Sequence, residues 1–67
     1  MDANEQIFRE IRSKMGLKGV TFQGIATRLE ISRQQVWHVA KGIAHTAYIR
    51  RAIAEAVEYE PWPDKGN

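Results

Sequence analysis

The run Ser32-Arg33-Gln34-Gln35-Val36-Trp37-His38-Val39-Ala40-Lys41 places hydroxyl, guanidinium, amide, indole, imidazole and ammonium groups within ten residues. A helix over Arg33–Lys41 turns Val36, Val39 and Ala40 to one side and leaves the polar groups on the other. Their chemistry is that of recognition. A glutamine amide carries donor and acceptor in one plane, and a guanidinium presents a rigid fork of donors. Catalysis finds no material: the sequence lacks cysteine and shows no carboxylate pair, nucleophile–base set or phosphate-cradling glycine loop. The chain is therefore not expected to be an enzyme. His38 has Gln34 and Gly42 four residues away, and His45 lies seven residues on, beyond a helix end. That is a poor ligand spacing, so no metal is expected. No cofactor and no small-molecule ligand are expected either.

The elements that must carry this run are short helices. Asp2-Ala3-Asn4-Glu5 has the form of a capping box, and Ile7, Phe8, Ile11 and Met15 recur at helical spacing behind it. Gly16 offers a stop, which gives a first helix over about residues 3–15. Leu17 and Val20 are expected to tuck inward from the connection that follows. Thr21 caps a second helix, Phe22–Leu29, with Ile25, Ala26 and Leu29 inside. Ser32 caps the third, and Gly42 closes it. Thr46 caps a fourth helix, whose apolar stripe is Tyr48, Ile49, Ala52, Ile53, Ala56 and Val57. The closing "YEPWPDKGN", with two prolines, reads as a tail. The expected organisation is one domain over 1–58 and a Pro/Trp-containing tail over 59–67. No strand-like alternation appears, so the class is all-α.

Sixty-seven residues allow one small core to which every helix must contribute. The longest apolar runs are two or three residues, so no membrane span is expected, and the acidic start "MDANEQ" is unlike a secretory signal. The absence of cysteine is compatible with a reducing, cytoplasmic setting. The net charge of +2 conceals a strong asymmetry. Between Arg9 and Arg51, nine bases face only Glu10 and Glu30, a local excess of +7, while the two ends together carry −5. A basic middle between acidic ends points to a local site for a polyanion.

The joint Glu30-Ile31-Ser32 is too short for the second and third helices to lie side by side. They are expected to cross steeply at Ala26, which presents the third helix outward. The segment "FQGIATRLEISRQQVWHVAKG" resembles the helix-turn-helix of the lambda repressor and Cro class of bacterial and phage regulators. Ala26 stands at that pattern's alanine, and Ile25, Leu29, Ile31, Val36 and Val39 occupy its apolar positions. Glu30 departs from it, standing where the family usually has glycine; a left-handed conformation there costs on the order of 1 kcal/mol. The ending "IAEAVEYEPWP" also resembles the close of the Ner-like phage regulators, a shorter match. The resemblance covers roughly residues 5–58 and implies a small lambda-repressor-like domain of four to five helices.

It also implies sequence-specific binding of double-stranded DNA and transcriptional regulation, most simply repression, in a phage or prophage setting within the bacterial cytosol. Base-reading positions fall on Ser32, Arg33, Gln34, Trp37 and His38, with Gln35 in the same first turn. Gln34 matches the N6/N7 edge of adenine, and Arg33 suits guanine O6/N7 or a phosphate. Trp37 has three open roles: packing on sugar and thymine methyl groups, filling a gap against helix 4, or meeting a second subunit. DNA-backbone contacts are expected from Thr21, Gln23, Lys41, His45, Thr46 and the amide of Ala47; Arg28, Arg50 and Arg51 are further candidates that could instead lie on a helix surface and pair with Glu30, Glu55 or nothing. Arg9, Arg12 and Lys14 are expected to supply diffuse positive field, with room for one of them to touch the backbone. A homodimer formed in solution and a monomer that pairs only on DNA both remain open, as does a self-contact or fold-back of Trp62. The rival from another class is a helical protein-interaction module, such as an antitoxin or phage inhibitor, working through Trp37, Tyr59 and Trp62.

Overall fold

The computed structural model describes residues 3–62. Four helices run in order: α1 (Ala3–Lys18), α2 (Phe22–Leu29), α3 (Arg33–Lys41) and α4 (Ala47–Val57). No strand occurs among the described residues, so the chain is all-α. The expected α2 and α3 boundaries coincide with those observed. The capping role of Asp2 lies outside the described residues.

One device ends all four helices. Each is followed by a residue with a left-handed backbone: Gly19, Glu30, Gly42 and Glu58, with φ of 69°, 60°, 84° and 56°. The next residue's amide then donates to a carbonyl five residues back: Val20 to Met15, Ile31 to Ala26, Ile43 to His38 and Tyr59 to Ala54, at 2.9–3.1 Å. These bonds satisfy carbonyls that a helix end otherwise leaves open. Gly16 does not stop α1 as expected. It lies within the helix, and Gly19 three residues later takes the left-handed turn. Leu17 is consequently carried on the helix surface and is 81 % exposed, rather than tucked inward, while Val20 does pack against the core.

Glu30 pays a conformational cost that glycine would not. Glu30→Gly is expected to stabilise the protein by about 0.5–1 kcal/mol, the left-handed penalty less the extra entropy of an unfolded glycine. Denaturant midpoints of the two proteins check this; an unchanged or lower midpoint in the variant would refute the strain.

The core gathers Ile11 and Met15 from α1, Ile25 and Ala26 from α2, Val36, Val39 and Ala40 from α3, and Ile49, Ala52, Ile53 and Val57 from α4. Ala26 is wholly buried, and α2 packs directly on α3. A larger side chain there would force the two backbones apart. Ile31 and Leu29 pack against the edge of this core. Tyr48, expected in the apolar stripe of α4, is 48 % exposed, because Ile49, Ala52, Ile53 and Val57 already fill the inward face.

Residues 59–62 return to the body. Trp62 is 4 % exposed and belongs to the core cluster, so it folds back over its own chain. The Tyr59 hydroxyl donates to Glu10 Oε1 at 3.3 Å, and the Lys14 ammonium lies 4.7 Å from the Tyr59 ring centre. The Glu10 charge beside the phenol, aided by partial desolvation and their hydrogen bond, raises the pKa of Tyr59 above the ordinary tyrosine value. Lys18 meets Glu58 at 3.1 Å, another tie between α1 and the end of α4.

Candidate nucleic-acid interface

Burial of Val36, Val39 and Ala40 leaves Ser32, Arg33, Gln34 and Gln35 exposed on the first turn of α3. Two of these four side chains are occupied in holding that turn. The Ser32 hydroxyl accepts from the Gln35 amide at 3.2 Å, and the Gln35 side-chain oxygen accepts from the Ser32 amide at 3.0 Å. This reciprocal cap satisfies orphan donors at the helix start. It commits the carbonyl of Gln35 and leaves its NH2 group as a donor. Arg33 and Gln34 carry no such duty.

These two line an open cleft of about 910 Å³ between the end of α1, the start of α2 and α3. Arg12, Thr21, Gln23 and Trp37 share its walls, together with Met15, Gly16, Val20 and Phe22. No carboxylate is among these residues. Thr21 sits at the α2 cap, its hydroxyl accepting from the Gly24 amide at 2.9 Å. Gln23 turns its amide to the Thr27 hydroxyl at 3.1 Å. The structure thus brings five of the expected residues, Thr21, Gln23, Arg33, Gln34 and Trp37, to one concavity.

Trp37 leans towards α1. Its ring meets Phe8 edge-on at 6.5 Å, and Phe8 stacks on Phe22 at 6.2 Å. The Lys41 ammonium lies over this cluster, 4.7 Å from the Phe8 ring centre and 5.6 Å from that of Trp37. Trp37 retains 37 % of its surface, so it is both a packing residue and an exposed indole. His38, half-buried, lies against the Trp37 ring at 5.6 Å. Of the contacts open to Trp37 within the fold, the one seen is with α1 rather than α4.

The remaining expected backbone contacts follow α3 in the 42–46 connection and at Ala47, the first residue of α4. His45, Thr46 and Ala47 are all exposed there. Thr46 occupies the cap position of α4, but its hydroxyl makes no cap bond. Gly42 fixes where this connection begins: besides its left-handed backbone, a Cβ on it would lie 2.6–2.9 Å from the Asn4 side chain. Arg28 takes the structural course, meeting Glu55 at 3.6 Å.

Pairing separates the cations into two groups. Arg9 meets Glu5, Lys18 meets Glu58 and Arg28 meets Glu55. Among the described residues, Arg12, Arg33 and Lys41 form no ion pair with a carboxylate and lie beside the cleft or its aromatic wall; Lys14, over the Tyr59 ring, and Arg51, exposed on α4, form none either. Three of the cations left without a carboxylate partner thus gather where α1 meets α3. Arg12, one of the three α1 bases expected to supply diffuse field or a single backbone contact, lines this cleft. Its guanidinium stands 5.8 Å from the Phe8 ring centre, one helical turn along α1. The spacing of Phe8 and Arg12 is visible in the sequence, but their meeting with α3 is tertiary. Among the described residues no three histidine or carboxylate side chains are grouped to hold a metal ion, and no helix is long and apolar enough to cross a membrane. No model of a known protein family, no curated protein and no solved structure matches this chain.

Proposed function

We propose that this protein is a sequence-specific, double-stranded DNA-binding transcriptional regulator in which α2, the Glu30–Ser32 turn and α3 act as a helix-turn-helix. The observation that carries the reading is the cleft: exposed Arg33 and Gln34 share one acid-free, cationic concavity with Arg12, Thr21, Gln23 and Trp37. In the mechanism, α3 enters the major groove by its first turn. Gln34 reads adenine through paired hydrogen bonds, and Arg33 takes a guanine edge or the adjoining phosphate. Arg12, Gln23 and the start of α2 hold the sugar–phosphate strand on one side. Lys41 and the His45–Ala47 connection hold the other. The exposed face of Trp37 packs on sugar and thymine methyl groups, and its buried edge is anchored by Phe8. Occupation of a promoter would make such a protein a repressor, and a phage or prophage regulator fits the sequence resemblance. Two recognition helices reading a near-palindrome would supply the specificity that one lacks, whether the pair forms in solution or on DNA.

The test is titration of fluorescent duplexes at several salt concentrations. Three phosphate-neutralising cations, Arg12, Arg33 and Lys41, predict that log K falls with log salt at a slope of about −3 per protomer. A flat slope, or no binding to any duplex in dilute buffer, would eliminate the reading and favour a protein-interaction module. Selection from a random duplex library then separates one half-site from two spaced by about one helical turn.

A further inference from the structure

Arg50 is the one charged side chain that is buried among the described residues, at 6 % exposure. Its position is doubly unfavourable. Burial of a guanidinium forfeits hydration, and Arg50 lies within the first turn of α4, where the helix dipole repels cations. Two of its contacts bear on its role. The guanidinium carbon lies 5.0 Å from the Trp62 ring centre, and Nη2 lies 2.9 Å from Nδ1 of His45.

The second contact has a direction. Arginine has only donors, so His45 Nδ1 must accept, and the ring hydrogen then resides on Nε2. His45 itself is exposed, in the connection that leaves α3. One ring nitrogen is therefore fixed from within, and the other is left as a donor. We propose that Arg50, clamped by Trp62, is a positioning residue that acts through His45, orienting its Nε2–H to donate to a DNA phosphate beside the recognition helix. This rests on the DNA-binding reading above. It gives residues 59–62 a part in binding although they lie on a different element from the cleft.

The experiment is a double-mutant cycle of His45→Ala and Arg50→Met, titrated with a mixed-sequence duplex across several salt concentrations. A mixed-sequence duplex suffices because a phosphate contact is independent of base sequence. Each single change is expected to weaken binding by about tenfold or more, the size of one hydrogen bond to a charged phosphate. The double variant should be no weaker than His45→Ala alone. Neither change should alter the salt slope, because a neutral imidazole displaces no counterion. Effects that multiply, or a slope shallower by about one unit in Arg50→Met, would mean that Arg50 contacts phosphate itself and would overturn the proposal. Full affinity in His45→Ala would overturn it too, and that exposed substitution keeps the test decisive if Arg50→Met fails to fold. Nitrogen chemical shifts of the His45 ring give a reading without DNA: the Nε2–H tautomer is expected in the wild type and loss of its dominance in Arg50→Met. Wild-type protein that shows this tautomer yet binds no duplex would sink the DNA-binding reading, and the phosphate role with it. Wild-type protein that binds DNA with the opposite tautomer would sink the positioning role alone.

Discussion

Trp62→Ala is expected to remove most of the protein's stability, although Trp62 follows the last helix by five residues. Its indole is 4 % exposed and is part of the same core cluster as Ile11 and Val57. Truncating a buried tryptophan to alanine costs about 3–5 kcal/mol in lost transfer energy and residual cavity. A chain of this length has a total of only about 3–10 kcal/mol. The substitution also takes the aromatic face from the Arg50 guanidinium, leaving a buried cation less well held. Thermal unfolding followed by circular dichroism should show a midpoint lowered by at least about 12 °C, since 1 kcal/mol shifts a domain of this size by about 4–8 °C. A variant that melts within a few degrees of the wild type would show that residues 59–62 are dispensable to the core.

Gln34→Ala should lower affinity for the selected duplex by about 1–3 kcal/mol while leaving binding to mixed-sequence DNA nearly unchanged. Gln34 is exposed and, unlike Ser32 and Gln35, makes no capping bond, so its loss should not disturb the fold. Lys41→Ala provides the contrast. Its ammonium stands over the Phe8 and Trp37 rings, where it can add charge beside any strand in the cleft. That substitution should weaken every duplex alike and reduce the salt slope by about one unit. Equal losses from both changes on all sequences would contradict the assignment of reading to Gln34 and of field to Lys41.

How far the sequence carries the reading differs from element to element. Phe22–Leu29 and Arg33–Lys41 are legible to the residue, because local chemistry marks both ends. Thr21 and Ser32 supply caps, Gly42 supplies the left-handed stop, and Glu30 is forced into one by the three-residue joint. The end of α1 is misread because two glycines compete. Gly16 has the composition of a stop, yet only Gly19 is placed where the next amide can reach back to Met15. Residues 59–62 read as a tail because prolines and charges break the helical period. A period describes only neighbours along the chain, and Trp62 is buried by partners contributed by other elements.

The same distinction governs the site. Composition and helical spacing alone determine that the chain is all-α, that Arg33 and Gln34 face outward, and that the middle of the sequence is basic. Only the tertiary structure decides which cations escape carboxylates, that Arg12 joins the cleft, that Trp37 rests on Phe8, and that Arg50 is clamped between Trp62 and His45. The physical reason is range. Caps and apolar stripes depend on atoms within about one helical turn. Ion pairing, ring stacking and burial depend on which distant segments the core brings together.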